Sequence, residues 1–349
     1  MQALPWRESA SLILASGTSA LKLLWLQRSG GLWAKSRVFA GGVVDACDFS
    51  PRWEDCFAKN AASFDSLILP SNANRPPILQ SRPGELPREI ALRITALRET
   101  FEESGILIAE PKSKIQQLTS ELAEWRKSVT NDSTKFLDMC EQLHIYPDVE
   151  ALKLWSDWLT PTDLPIKRFD TVFFVAEGDE GVDIDVNEKE MLNSRWMSPG
   201  EALVAMASGE ITLPPPQMYE CTRLMRFKSA KELVEFAERR QHFGAILYLP
   251  VRIRCADGIV TLFPGDDAYP SNPDLYKPLP PDDRTVTELR KDVKNLHRLE
   301  SDHKDTVVDF HMNISLDPEH CAPVNLFRKL ESLGVHGFSG TPRLKPQTS

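Results

Sequence analysis

Apolar residues along this chain recur with two different periods, and the switches between them mark its elements. Ser11-Leu12-Ile13-Leu14-Ala15 and Leu21-Lys22-Leu23-Leu24-Trp25-Leu26 are near-continuous apolar runs joined through Ser16-Gly17-Thr18, the pattern of a β-hairpin. Between residues 84 and 108 the spacing becomes helical. Leu92, Ala96 and Leu97 set one inward face, and Pro87 before and Gly105 after bracket the helix. Ile106-Leu107-Ile108 then reads as a buried strand. From 112 to 158 a helical insertion is predicted, with Leu118, Leu122, Trp125 and Val129 on one face, then Phe136, Cys140 and Leu143, then Leu152 and Trp155. Arg168 to Ala176 returns to strand character and ends in the acidic turn Glu177-Gly178-Asp179-Glu180-Gly181. Ser198-Pro199 opens a helix, and Ser229 opens another with Glu232 completing a capping box. Short strands are expected at Val251 to Arg254 and Ile259 to Phe263 around Asp257-Gly258. Residues 45 to 88 are rich in Pro, Asn, Ser and Asp and read as an irregular excursion, while the Pro-rich and charged stretch from 264 to 305 and the final tail carry no clear period.

Composition narrows the class. A chain of 349 residues with 42% hydrophobic and 26% charged residues is an ordinary globular protein able to bury a large core. The formal charge of -9 argues against a nonspecific grip on nucleic acid, which relies on Lys and Arg. The six cysteines form no Cys-x-x-Cys pair, which reads as reduced thiols in an intracellular compartment and no zinc site. No apolar run is long enough to span a membrane. The first thirty-eight residues are poor in acids, as in a mitochondrial presequence, but they coincide with the predicted hairpin, so the structural reading is the stronger. No pattern specifies an oligomer.

The chemistry is concentrated at the end of the first helix. Glu99, Glu102 and Glu103 stand at i, i+3 and i+4, so their carboxylates gather on one side. They lie in the last turn, where the helix dipole is already negative and a cation would stabilise. A solvated acidic face is the bland explanation. Arg98 directly before the triplet, and a Gly-permitted turn into apolar chain directly after it, favour instead a site for Mg²⁺ (or Mn²⁺) with positions open to phosphate oxygens and water.

Arg98-Glu99-Thr100-Phe101-Glu102-Glu103-Ser104-Gly105-Ile106 resembles the Nudix box of the Nudix hydrolases. The full signature also has a Gly fourteen residues before the Arg and a Glu eight before it. Gly84 stands at the first spacing, but Ile90 occupies the second, with Glu89 one position out of register. Phe39-Ala40-Gly41-Gly42 is an alternative entry to the box and the preferred one, because it follows a strand pattern. The box would then be split by an insertion, and Gly84 would match by accident. Leu23 to Ser29 followed by Val38-Phe39-Ala40-Gly41-Gly42 also resembles the coenzyme A motif of Nudix CoA diphosphatases, with Ala40 in place of their Pro. The resemblance offers Arg28 as a cation for a phosphate and Gly41 and Gly42 as substrate-site backbone. Trp196 followed by Ser198-Pro199 resembles the end of a Nudix domain, where Glu190 falls at the position of a carboxylate that assists the metal or the attacking water; a solvated charge is the other reading.

Trp155 to Pro161, Leu213 to Glu220 and Leu262 to Asp266 are similar to one branch, the acyl-CoA diphosphatases of the nucleoside diphosphate-linked moiety X motif 19 type. This implies an α/β fold, a Nudix α/β/α sandwich with mixed sheet, spanning 6–242 with insertions at about 45–88 and 112–158. Residues 243–349 would form a partly irregular extension packed on it. It also implies hydrolysis of CoA or acyl-CoA with Glu99, Glu102 and Glu103 as metal ligands and Arg98 pairing with a carboxylate. The alternatives are an RNA nucleotide-cap hydrolase and a noncatalytic nucleotide-binding protein; the intact acidic triplet speaks against the second. Mitochondrion or peroxisome is the location implied, the former favoured because Lys345-Pro346-Gln347-Thr348-Ser349 is not Ser-Lys-Leu.

Overall fold

The first strand, β1 (Arg7–Ser16), is apolar on both faces, and its alternation divides the molecule. Ala10, Leu12 and Leu14 point into one core, whereas Ile13 and Ala15 point into another on the opposite side of the sheet. A strand covered on both sides shows a continuous apolar run rather than apolar-polar alternation, which is what the sequence has there. In this computed structural model, which describes residues 6–31, 34–59, 64–291, 293–303, 307–314 and 320–335, β1 turns into β2 (Lys22–Arg28) as an antiparallel hairpin. A Cβ on Gly17 would stand 2.0 Å from the Ala20 carbonyl oxygen, so the turn requires glycine. The chain continues into β3 (Arg37–Val38) and β4 (Ala40–Val43).

The excursion that follows contains α1 (Arg52–Lys59) and short 3-10 turns, then returns to α2 (Arg88–Ser104). Pro87 and Gly105 bracket α2, and Gly105, at φ 76, closes it with an N–H bond to the Phe101 carbonyl. The expected single inward face is too modest: every residue of α2 except Glu99 is buried, because the sheet covers one side and the insertions cover the other. Ile106 to Ile108, expected as a strand, is irregular and half-buried; the ladder there is only β5 (Ala109–Glu110) against β6 (Tyr146–Pro147).

Between them lie α3 (Lys112–Ile115), α4 (Thr119–Asn131) and α5 (Lys135–Leu143). The helical segment therefore ends at Leu143 and not at 158. Residues 153 to 159 form β7 (Lys153–Leu159), antiparallel to β8 (Phe169–Glu177). A register shift between Leu154 and Ser156 puts both Trp155 and Trp158 into the second core. A bulge thus produces a three-residue apolar spacing that mimics a helix.

β8 runs parallel to β1, and β9 (Met191–Met197) runs antiparallel to β2. α6 (Pro199–Ala207), α7 (Pro215–Leu224) and α8 (Ala230–Arg240) cover the second face, and β10 (Leu247–Tyr248) adds to β7 at the edge. Ser229 caps α8 through the Glu232 N–H, but Glu232 reaches the Lys228 N–H, so the reciprocal box does not close on Ser229. The eight-stranded sheet runs β10-β7-β8-β1-β2-β3, with β4 on β1 and β9 on β2. With α2 on one face and α6 to α8 on the other, this is the α/β/α sandwich with mixed sheet that the sequence implied. Its edge reaches Tyr248, past the expected boundary at 242.

The C-terminal part is more regular than its composition indicates. β11 (Val251–Arg254) and β12 (Ile259–Leu262) are joined, after α9 (Val286–Lys291), by β13 (His297–Ser301) and β14 (Val307–Met312) in the order β11-β12-β13-β14, and α10 (Leu326–Ser332) follows. Leu299 and Phe310 enter the second core, so this sheet is packed on the sandwich. β13 escaped notice because it buries charge: all five residues are buried, with Arg298 paired to Asp266 and Glu300 to Arg290. No disulfide joins the six cysteines, and no helix among the described residues is long and apolar enough to cross a membrane. Residues 345–349 lie outside the described residues.

Candidate functional site

The site forms where the backbone of β4 meets the last two turns of α2. The Gly41 N–H donates to Glu103 Oε2 at 2.9 Å. A Cβ on Gly41 would come 2.3 Å from the Ala10 carbonyl oxygen, and one on Gly42 would come 2.4 Å from the Glu99 carboxylate. Close approach thus requires glycine at 41, against the backbone of β1, whereas at 42 a side chain would push the Glu99 carboxylate aside. Gly84, by contrast, sits in a turn at φ 78 with nothing within 4 Å of its would-be Cβ. The glycine pair that meets the acidic helix is Gly41-Gly42, and the segment from Val44 to Pro87 is spliced between them and α2. Ile90 is fully buried in the first core. Glu89 has a different task, since it pairs with Arg75 and accepts from the Leu69 N–H, fastening the spliced segment to the helix.

Arg98 is the buried cation of the cluster. Its Nε and Nη2 donate to the two oxygens of Asp48, each at 2.9 Å, while Nη1 donates to Glu99 Oε1 at 2.9 Å and Glu102 Oε1 at 2.7 Å. Burial works against the Arg98 charge, but Asp48, Glu99 and Glu102 outweigh it and hold the guanidinium charged. The glutamates are less well served. Burial lifts Glu99 to about 7 against the opposing pull of Arg98, with Glu102 and Asp48 adding to the rise. Burial raises Glu102 too, again opposed by Arg98. Glu103 is pushed well above the carboxylate range by burial and by Glu99 and Glu190, which the Gly41 N–H and the Arg28 charge only partly offset.

The other sequence candidates come to the same place. Glu190 is exposed, and its charge reaches both Glu102 and Glu103. Its carbonyl accepts from the Ser29 N–H at 2.8 Å, and the Asn187 N–H donates to the Glu103 carbonyl at 3.0 Å, so this loop hangs between the end of β2 and the end of α2. Arg28, half-buried on β2, is near enough for its charge to reach Glu103. No three acidic, His or Cys side chains among the described residues are drawn together as closely as a bound ion draws its ligands. The donor set nevertheless suits a hard divalent cation: these are carboxylate oxygens whose negative charge burial and mutual repulsion disfavour, which a cation would relieve.

Two contributors were missed. Asp48, from the spliced segment, has no local signature, although a search for a carboxylate near Gly41-Gly42 to partner Arg98 would have reached Asp45 and Asp48. Arg126 on α4 donates from Nε and Nη2 to the Glu102 carbonyl at 3.1 and 2.9 Å, and from Nη1 to Asp185 at 2.8 Å. It places a cation against the negative end of α2, which resolves the oddity of three anions in the last turn. Its main partner is a backbone carbonyl, so no pattern of side chains could have announced it.

Comparison with known proteins agrees with this geometry. The signature of the NUDT19 Nudix domain matches residues 6–224, and that of the NUDT19 C-terminal domain matches residues 252–313. Acyl-coenzyme A diphosphatase NUDT19 of Homo sapiens is 34% identical over 357 residues, covering 92% of this chain and 95% of its own. The protein of that name from Xenopus laevis is 33% identical over 372 residues, covering 92% and 96%. Among solved structures, a Nudix hydrolase from Alicyclobacillus acidocaldarius shares the fold with a TM-score of 0.50 at 19% identity, covering 66% of this chain and 96% of that one. With its domain signature over more than half its length and relatives similar along nearly all of it, the chain belongs to the Nudix hydrolase family, in the NUDT19 group.

Proposed function

We propose that this protein hydrolyses the diphosphate linkage of CoA and acyl-CoA esters, with Mg²⁺ or Mn²⁺, to adenosine 3′,5′-bisphosphate and (acyl-)4′-phosphopantetheine. The observation that carries the reading is the gathering of Glu99, Glu102 and Glu103 against the Gly41-Gly42 backbone, in a chain similar along its length to acyl-CoA diphosphatases. The three glutamates would hold the cation. Bound there, the ion supplies charge neutralisation at the diphosphate and an acidified water. Arg98 keeps Glu99 and Glu102 in place, and the Gly41 N–H fixes one oxygen of Glu103. Arg28 would meet a phosphate as a cation. Glu190 is available to accept a proton from water, because it is exposed beside the cluster.

The test is product analysis by mass spectrometry after incubating purified protein with CoA and Mg²⁺, alongside an acyl-CoA and a capped RNA. The two products named above, formed only with the ion, are expected. Cleavage of the capped RNA in preference to CoA would overturn the reading. A mitochondrial or peroxisomal location is part of the proposal, mitochondria being preferred, and a tagged protein spread evenly through the cytosol would contradict it.

A further inference from the structure

Asp48 is fully buried, and it is held from several sides. Its carboxylate accepts from Arg98 Nε and Nη2, from the Thr95 hydroxyl at 2.9 Å and from the Asp45 N–H at 3.0 Å, the last as part of the capping box of its own 3-10 turn. Two of these partners, Thr95 and Arg98, lie on α2. Asp48 therefore joins the spliced segment to the helix that carries the glutamates.

The arrangement of Arg98 shows what this junction does. A guanidinium has five donors in a fixed fork, and here two are committed to Asp48 while Nη1 reaches Glu99 and Glu102. Without a partner on the far side, the whole charge of Arg98 would fall on the two glutamates and compete with any cation for them. The box signature has a glutamate eight residues before the arginine, but this chain has Ile90 there, buried among apolar groups. We propose that Asp48 is a positioning residue for the hydrolysis: by clamping Arg98 from outside the helix, it lets the arginine orient Glu99 and Glu102 without neutralising them. The segment that splits the box is on this account part of the site's working parts. The proposal rests on the reading of the three glutamates as metal ligands.

The experiment measures Mn²⁺ binding without substrate, by loss of the free-ion magnetic resonance signal, in wild type and Asp48→Asn, together with metal titrations of CoA hydrolysis. In Asp48→Asn the binding midpoint should rise by roughly 10- to 100-fold, the range for loss of a group that orients a ligand. The KM for CoA should hold, and kcat should recover as the ion is raised to saturation. A lower thermal midpoint with an unchanged Mn²⁺ midpoint would mean Asp48 only supports the fold, and would overturn the proposal. If Asp48→Asn does not fold, Thr95→Val decides: it removes one bond to Asp48 and no charge, and should raise the midpoint roughly two- to threefold, a part of one hydrogen bond's effect. No change there overturns the proposal equally. Wild-type protein whose Mn²⁺ midpoint depends on Asp48 yet which leaves CoA intact would count against the substrate and leave Asp48 standing, so the two failures are separable.

Discussion

Glu220 on α7 and the three glutamates on α2 lie on opposite faces of one sheet, and both regions take carboxylates out of water. Glu220 accepts from Trp155 Nε1 at 2.7 Å, Ser156 Oγ at 2.7 Å, Trp158 Nε1 at 2.8 Å and Arg223 Nη1 at 2.9 Å. Arg223 in turn stacks on Trp155, with the guanidinium carbon 4.4 Å from the ring centroid, and donates to the Cys321 carbonyl. One anion has a full set of donors. On α2, Glu99 and Glu102 share one arginine that is also committed to Asp48, and Glu103 has a backbone N–H in its place. The difference separates a buried charge that completes a structure from one left short of positive charge, and only the second has use for a cation.

The comparison can be broken first at Glu220. Glu220→Gln leaves Arg223 buried beside a neutral group, and should cost about 3 to 5 kcal/mol in a urea titration while kcat of the folded fraction holds. A loss of kcat at full stability would put Glu220 in the same class as the α2 glutamates. Next in size, Glu102→Gln or Glu103→Gln should slow CoA hydrolysis by on the order of a hundredfold or more, about 2.7 kcal/mol, and leave the metal-free thermal midpoint unchanged or higher, because repulsion is relieved. A Gln variant with full ion-dependent activity would leave the site without its core. Gly42→Ala sharpens the contrast at smaller scale. Its added Cβ displaces the Glu99 carboxylate and not backbone, so activity should fall on the order of tenfold with an unchanged circular dichroism spectrum.

A further expected effect is in pH. Glu99 titrates at about 7 in the fold against the ordinary value of 4.5, so between those values the folded state holds more protons than the unfolded one. Stability in chelator should therefore fall as pH rises through that window, by up to about 3 kcal/mol, read as a falling thermal midpoint. A divalent ion bound to the ionised form should raise the midpoint more at pH 8 than at pH 5. Equal shifts at both pH values would show that no proton is displaced.

How much of this the sequence discloses depends on the range of each interaction. The hairpin, α2 with its Pro87 and Gly105 brackets, and the clustering of Glu99, Glu102 and Glu103 are local consequences of spacing, and were legible. β7 was not, because Leu152 and Trp155 stand at a helical interval although they enter opposite cores; nor was β13, because its strand alternation is hidden under ionic partners distant in sequence. Asp48 lies fifty residues from Arg98, and Arg126 answers to a main-chain oxygen. The acids of the site could thus be read from one helix, whereas the groups that hold them came from segments whose own patterns point elsewhere.

The pairing of β1 with β8 bears on how the chain is made. β1 meets β8 in parallel register from Arg7 opposite Phe169 to Ala15 opposite Glu177, whereas its ladder with the neighbouring β2 is confined to Ala15 and Ser16. The central strand of the sheet therefore waits for its main partner until the chain has grown through both insertions. Such nonlocal closure is slow, and an emerging chain carries β1's apolar faces uncovered in the meantime. Synthesis places the spliced segment and the helices α3 to α5 ahead of β8, so the cover for one of those faces is already made when the sheet closes.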